Sequence, residues 1–165
     1  MLIPLKADSR FEFTNVNCTS YEKQIIDYEY CYLKSINRTY KYLSGKIKLY
    51  EVPLSNIKVN FRLWKRFNGY KPFLYNITLD LCKFLVTPKS SPVANFIYES
   101  FVEYSNMNHS CPFKNELYVE KLPVDFMNHR FTKILPFPEG DYLFEFLWIR
   151  SRSLIASAKI YCTVS

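Results

Sequence analysis

The chain has 165 residues, of which 48% are hydrophobic and 22% charged, and its formal net charge at pH 7 is +7. These proportions exclude an intrinsically disordered chain, and the length fits one domain that can bury its own core. Aromatic residues make up 18% of the chain whereas only three glycines are present, and this balance favours β-strands over helices.

Most of the chain alternates polar and apolar residues, which is the pattern of a half-buried β-strand. In chain order, the segments predicted as strands are Phe11 to Val16, Asp27 to Lys34, Lys46 to Tyr50, Ile57 to Phe67, Phe73 to Phe84, Leu117 to Glu120, Arg130 to Leu135, Tyr142 to Arg150 and Leu154 to Val164.

The fourth and fifth of these segments flank Asn68-Gly69. Because Asn and Gly tolerate positive φ, this dipeptide predicts a two-residue hairpin turn. The residues expected to face the interior of the hairpin are Val59, Phe61, Leu63, Tyr75, Ile77, Leu79 and Leu81.

In one region the spacing of the apolar residues changes from every second residue to the spacing of a helix. Ser91-Pro92 is a favourable helix start, and apolar residues then recur at helical spacing from Val93 to Tyr104. We predict one short amphipathic helix, located between Cys82 and Cys111.

Short strands separated by turn residues predict an all-β fold, a two-sheet antiparallel sandwich or barrel. Residues 11–165 are assigned to this single domain. The apolar run near Met1 is shorter than the roughly 7–15 residues of a signal-peptide core. We therefore interpret residues 1–10 as an N-terminal tail or the remnant of a signal peptide.

The sequence offers no recognisable set of catalytic groups. Its two histidines, His109 and His129, lie beside asparagines and far from any nucleophile motif, and no glycine-rich phosphate loop is present. The cysteines lack the spacing of a zinc site. We expect a protein that is not an enzyme and that holds no metal or cofactor.

The five cysteines are Cys18, Cys31, Cys82, Cys111 and Cys162. Pairing Cys18 with Cys31 would link the first two strands, and pairing Cys82 with Cys111 would close the helical loop onto the sheet. Cys162 is then left over, so a Cys31 to Cys162 bridge is an alternative. Free thiols throughout are the other alternative.

Four segments match the N-glycosylation pattern, beginning at Asn17, Asn37, Asn76 and Asn108. Together with the cysteines they indicate the secretory pathway, where disulfides form. We expect an extracellular glycoprotein.

Lysines and arginines are scattered along the chain and mostly occupy outward or terminal strand positions. This distribution is typical of an outer sheet face exposed to solvent. The net positive charge also makes a membrane surface or a receptor a candidate partner. Nucleic-acid binding would need a clustered basic face, which the sequence does not show.

Four stretches carry a resemblance to a known family: residues 31–40, residues 68–75, Asp80 to Leu85 together with Asn108 to Phe113, and Leu135 to Tyr142. They resemble an insect secreted family described as a domain of unknown function, family 1091. That family is similar to the ML lipid-recognition domains, which include the ganglioside activator protein, and its insect relatives include the CheB proteins linked to pheromone detection.

The resemblance implies an immunoglobulin-like sandwich whose two sheets separate enough to admit a lipid. The ligand would then be a small apolar molecule such as a lipid, a fatty acid or a hydrocarbon pheromone, with a chemosensory role by analogy. Ile97 and Phe101 would form a lid. The candidate ligand-binding residues are Phe61, Leu63, Phe73, Ile77, Ile97, Phe101, Phe144, Phe146 and Trp148.

Aromatic stripes also occur in ordinary solid cores. The alternative hypothesis is therefore a secreted interaction or structural module with a filled interior and no small ligand.

Overall fold

The computed structural model describes residues 9–52 and 56–165, so most of the predicted N-terminal tail lies outside the described residues. The strands are β1 (Phe11–Ser20), β2 (Ile26–Ser35), β3 (Lys41–Leu49), β4 (Ile57–Phe67), β5 (Gly69–Asp80), β6 (Glu116–Pro123), β7 (Gly140–Arg150) and β8 (Ser153–Val164). The α-helices are α1 (Leu81–Val86), α2 (Pro92–Glu99) and α3 (Val124–His129).

The strands form two sheets. The large sheet has the order β1-β8-β7-β4-β5 and the small sheet has the order β2-β3-β6, and all neighbouring strands are antiparallel. Apolar side chains from both sheets and from the helical connections pack between the sheets in two clusters. This confirms the predicted all-β, two-sheet sandwich.

The hairpin of β4 and β5 forms where Asn68-Gly69 predicts it. The turn is tighter than expected, because Phe67 pairs directly with Gly69 and only Asn68 lies between the strands. Gly69 has a φ of 81°, a conformation that glycine adopts without steric cost. The strand predicted to run to Phe84 stops at Asp80, whose carboxylate accepts a hydrogen bond from the Lys83 backbone N–H at 3.1 Å and caps α1.

The helical content exceeds the single short helix that the sequence predicts. The expected helix is α2, but it ends at Glu99 and continues only as a 3-10 turn over Val102–Tyr104. Helix α1 precedes it and α3 follows β6, so helical segments cover both connections between β6 and the large sheet.

The predicted strand from Arg130 to Leu135 is wrong. Residues Arg130–Ile134 continue α3 as a π-helical turn, closed by a hydrogen bond from the Leu135 N–H to the Arg130 carbonyl at 2.9 Å. The alternation in this segment suits a strand, but burial of Phe131 against β1 and β7 stabilises the helical turn instead.

One disulfide links the two sheets, and a second links helix α1 to the loop before β6. Cys18 of β1 bonds to Cys31 of β2, and Cys82 of α1 bonds to Cys111 in the loop before β6. Cys162 is a buried free thiol, so the alternative Cys31 to Cys162 bridge is wrong. Disulfides of this kind are typical of proteins that fold in an oxidising compartment. Among the described residues, no helix combines the length and the apolar character needed to cross a bilayer.

Candidate functional site

A cavity of about 230 Å³ lies between the two sheets. For comparison, a dry cavity of about 150 Å³ lined by Leu, Ile and Phe is large enough to bind benzene. The residues that line this cavity are Phe11, Phe13, Val16, Cys18, Tyr28, Cys31, Leu43, Ser44, Gly45, Lys46, Ile47, Val59, Phe61, Ile77, Leu79, Leu81, Phe84, Ala94, Ile97, Tyr98, Ser100, Phe101, Met107, Leu117, Tyr118, Val119, Leu122, Met127, Phe131, Phe144, Phe146, Trp148, Ala158 and Ile160.

Most of the residues predicted to bind a ligand meet at this cavity. Those that line it are Phe61, Ile77, Ile97, Phe101, Phe144, Phe146 and Trp148. Leu63 and Phe73 do not line it, although their strand positions place them on the inner face. Leu63 is buried in close-packed core, and the Phe73 ring packs 5.8 Å from the ring of Tyr142, beyond one end of the cavity.

Two small residues, Gly45 and Ala158, lie at the cavity where larger side chains would occupy its volume. Across the large sheet, Ala158 of β8 pairs with Phe146 on one side and Cys18 on the other. In the small sheet, Gly45 of β3 pairs with Cys31 and with Val119. The two small residues therefore flank the Cys18–Cys31 disulfide, one in each sheet.

Gly45 has room for a side chain. A Cβ atom placed there would contact only the Tyr30 backbone oxygen, at 3.9 Å. Sequence reasoning missed both Gly45 and Ala158 because it searched for large apolar residues. The available signal was a glycine at an inward position of the regular alternation from Leu43 to Leu49.

Helix α2 covers one side of the cavity with the apolar face that the sequence predicts. Ala94, Ile97 and Tyr98 of α2 line the cavity, and so does Phe101, which lies just beyond the end of the helix. The Tyr98 hydroxyl donates a hydrogen bond to the Met107 carbonyl at 2.7 Å, which fixes the helix to the following loop. The Cys82–Cys111 bridge closes the loop of chain that contains α2.

Arg130 ties α2 to the π-helical turn. Its Nε donates to Ser100 Oγ at 2.8 Å, a terminal nitrogen donates to the Phe96 carbonyl at 2.7 Å, and the guanidinium lies 4.2 Å from the centre of the Phe96 ring. Burial lowers the pKa of Arg130, and the charges of Glu99 and Glu103 oppose that shift. These contacts anchor the α2 lid, whose residues are only partly buried, to the π-helical turn.

The floor of the cavity is a cluster of close-packed rings. Phe131 lies 5.4 Å from Phe11, 5.3 Å from Phe144 and 5.1 Å from Phe137, measured between ring centres. Most of these pairs are edge-to-face, an arrangement that aromatic side chains favour. The rings close one end of the cavity, where Phe11, Phe131 and Phe144 are among its lining residues.

Two tyrosine hydroxyls that border the cavity already donate within the protein. Tyr28 of β2 donates to the Ser157 carbonyl of β8 at 3.0 Å, which links the two sheets. Burial raises the pKa of the Tyr28 phenol, so the hydroxyl stays neutral. The Tyr98 hydroxyl makes the bond to Met107 described above.

The two histidines lie in different elements, His109 in the loop before β6 and His129 at the end of α3. Within residues 9–52 and 56–165, no group of three His, Cys, Asp or Glu residues is placed to hold a metal ion. His109 is exposed in the loop before β6, where its ring packs 5.3 Å from the ring of Phe113.

The four asparagines of the glycosylation motifs are all exposed. Asn17 and Asn76 lie on the edge strands of the large sheet, Asn37 lies in the β2–β3 turn, and Asn108 lies in the loop before β6. The Asn76 side-chain oxygen accepts a hydrogen bond from Asn60 at 2.8 Å, an orientation that leaves the amide nitrogen directed away from Asn60.

Fold and site together define a disulfide-linked β-sandwich with an apolar cavity between its sheets. Residues 59–144 match the family model described as "Protein of unknown function (DUF1091)", and the chain belongs to this family. The matched region contains most of β4, all of β5 and β6, the lid helix, the floor residues Phe131, Phe137 and Phe144, and the first part of β7. No curated protein matches the chain.

Proposed function

We propose that this protein is a secreted, non-enzymatic binding protein that holds a small apolar ligand between its two sheets. The observation that carries the proposal is the 230 Å³ cavity with an apolar lining. A protein interior is normally filled to the density of an organic crystal. An unfilled space of this size stabilises nothing by itself, because its lining lacks partner atoms.

The driving force would be the transfer of hydrocarbon surface out of water. Each buried CH₂ group contributes about 0.8 kcal/mol, so ten groups contribute about 8 kcal/mol. That sum must offset the freedom that the ligand loses on binding, which costs several kcal/mol. Useful affinity therefore requires that most of the ligand be enclosed, as the α2 lid would allow.

The exposed glycosylation motifs and the two disulfides support secretion as a glycoprotein. The resemblance to ML domains supports a lipid or lipid-like ligand, and the resemblance to CheB proteins supports a chemosensory role. The proposal also includes a receptor or a membrane surface as the partner to which the protein would deliver its ligand.

The test is to express the chain in a eukaryotic secretory host, extract the purified protein with organic solvent and identify the extract by mass spectrometry. We expect a co-purifying apolar compound at a substantial fraction of the molar amount of protein. A matched pair of variants controls for adsorption to the surface. Gly45→Leu fills the cavity and should remove the compound, whereas Lys48→Leu adds the same side chain to the outer face of β3 and should retain it.

If the extracts of all three proteins contain no apolar compound, and added alkyl compounds do not raise the melting temperature, the proposal fails. The protein would then be an interaction or structural module, as the alternative hypothesis holds.

A further inference from the structure

Most of the hydroxyl groups around the cavity are engaged in hydrogen bonds within the protein itself. Among the described lining residues, the hydroxyls of Tyr28, Tyr98 and Ser100 each donate to a backbone carbonyl, at 3.0, 2.7 and 2.7 Å. Ser44 of β3 is fully buried, and its Oγ accepts the Lys121 backbone N–H at 2.9 Å. Tyr118 of β6 pairs with Lys46 across the small sheet, a position that alternates with the inward-facing residues. These groups do not offer the cavity a free cluster of hydrogen-bond donors.

The cavity also lacks an available cation. Lys46 is the one residue with a positively charged side chain among the described lining residues. Its position in β3 is outward, and its amine lies 3.2 Å from a Glu29 carboxylate oxygen and 3.1 Å from a Glu116 carboxylate oxygen. The charge of Lys46 is therefore satisfied on the outer face of the small sheet.

These two observations restrict the chemistry of the ligand. A carboxylate or phosphate that enters an apolar cavity loses its hydration, and that loss is costly unless hydrogen bonds or an opposite charge replace it. We propose, building on the apolar-ligand function above, that the cavity selects uncharged hydrocarbon-like molecules and discriminates against fatty acids in their ionised form. In the proposed complex the whole ligand would lie inside the cavity, with no head group anchored to a cation.

The discriminating experiment compares methyl laurate with laurate at pH 8, each displacing the neutral fluorescent probe N-phenyl-1-naphthylamine from the wild-type protein. The two ligands share the same twelve-carbon chain and differ in charge. We expect the ester to bind at least about tenfold more tightly, equivalent to about 1.4 kcal/mol. Laurate affinity should increase as the pH falls to 5, because its carboxyl group becomes neutral near its own pKa.

Equal or tighter binding of laurate at pH 8 would overturn the selectivity while leaving the apolar-ligand function intact. Failure of the probe and of both ligands to bind would instead overturn the function itself, and the selectivity with it.

A second arm places a cation on the lid. Ala94→Lys should shift the preference toward laurate, whereas Ala94→Leu should preserve the preference for the ester. An unchanged preference in a folded Ala94→Lys protein would contradict the proposal, because the missing cation would then not be the cause of the selectivity.

Discussion

Tyr142 is a buried residue whose ionisation is coupled to folding. Its hydroxyl donates to the Pro138 carbonyl at 2.6 Å, and its ring packs 5.2 Å from the ring of Phe137. Burial raises the pKa of Tyr142 to about 12, with a further contribution from Cys162. The neutral phenol is therefore favoured in the folded state relative to the unfolded chain.

Because the pKa of Tyr142 is raised in the folded state, the unfolding free energy decreases at high pH. Below the unfolded value of about 10 the contribution of Tyr142 to stability is complete, and it declines as the pH rises from about 10 toward 12. We predict that the unfolding free energy of the wild type falls between pH 9 and pH 11.5. In Tyr142→Phe this decrease should be smaller by about 1 to 2 kcal/mol, as measured by urea unfolding. An equal decrease in both proteins would rule out this role for Tyr142.

At the residue scale, alternation predicts which face a side chain occupies but not its depth along the sandwich. Phe61 and Leu63 share the inner face of β4, yet Phe61 lines the cavity whereas Leu63 lies in filled core. The difference arises from the opposite sheet and from the ring cluster around Phe131. Those contacts depend on long-range packing, which a local pattern does not contain.

At the scale of elements, the π-helical turn Arg130–Ile134 supports both the floor and the lid. Phe131 provides the centre of the ring cluster, and Arg130 holds α2 through Ser100 and the Phe96 carbonyl. A five-residue segment thus couples the two boundaries of the cavity.

We predict that Phe131→Ala lowers the unfolding free energy by about 3–5 kcal/mol, since it removes a fully buried ring from a packed cluster. The matched control is Phe67→Ala, which truncates the same side chain where it is 60% exposed and should cost less than about 1 kcal/mol. Chemical denaturation measures both. Similar losses for the two variants would show that the ring cluster does not stabilise the fold as described.

The elements themselves differ in how far sequence predicts them. The hairpin of β4 and β5 follows from the alternation of Ile57 to Leu63 and of Tyr75 to Leu81 on either side of Asn68-Gly69, because turn and strands agree locally. The segment from Arg130 to Leu135 also alternates, but it follows α3 directly and buries Phe131 by continuing the helix. Tertiary packing there overrides a pattern that is too short to decide between strand and helix.

At the scale of the whole molecule, a five-stranded sheet lies over a three-stranded one. The Cys18–Cys31 bridge links the two sheets, and the Cys82–Cys111 bridge links α1 to the loop before β6. Composition and alternation predict the two sheets, and cysteine spacing permits the observed pairing among others. The cavity volume could not be predicted, because it depends on the distance between the sheets. It also depends on Gly45 and Ala158 lying beside the same disulfide, one in each sheet.

The most direct measurement is a crystal structure of the wild-type protein soaked with 1-bromodecane, because the anomalous signal of bromine locates the ligand independently of the protein density. The account predicts a bromine peak between the sheets, enclosed by Phe61, Phe146 and the α2 lid, that is absent from Gly45→Leu. A cavity closed by repacked side chains, with bromine only on the surface or absent, would contradict it.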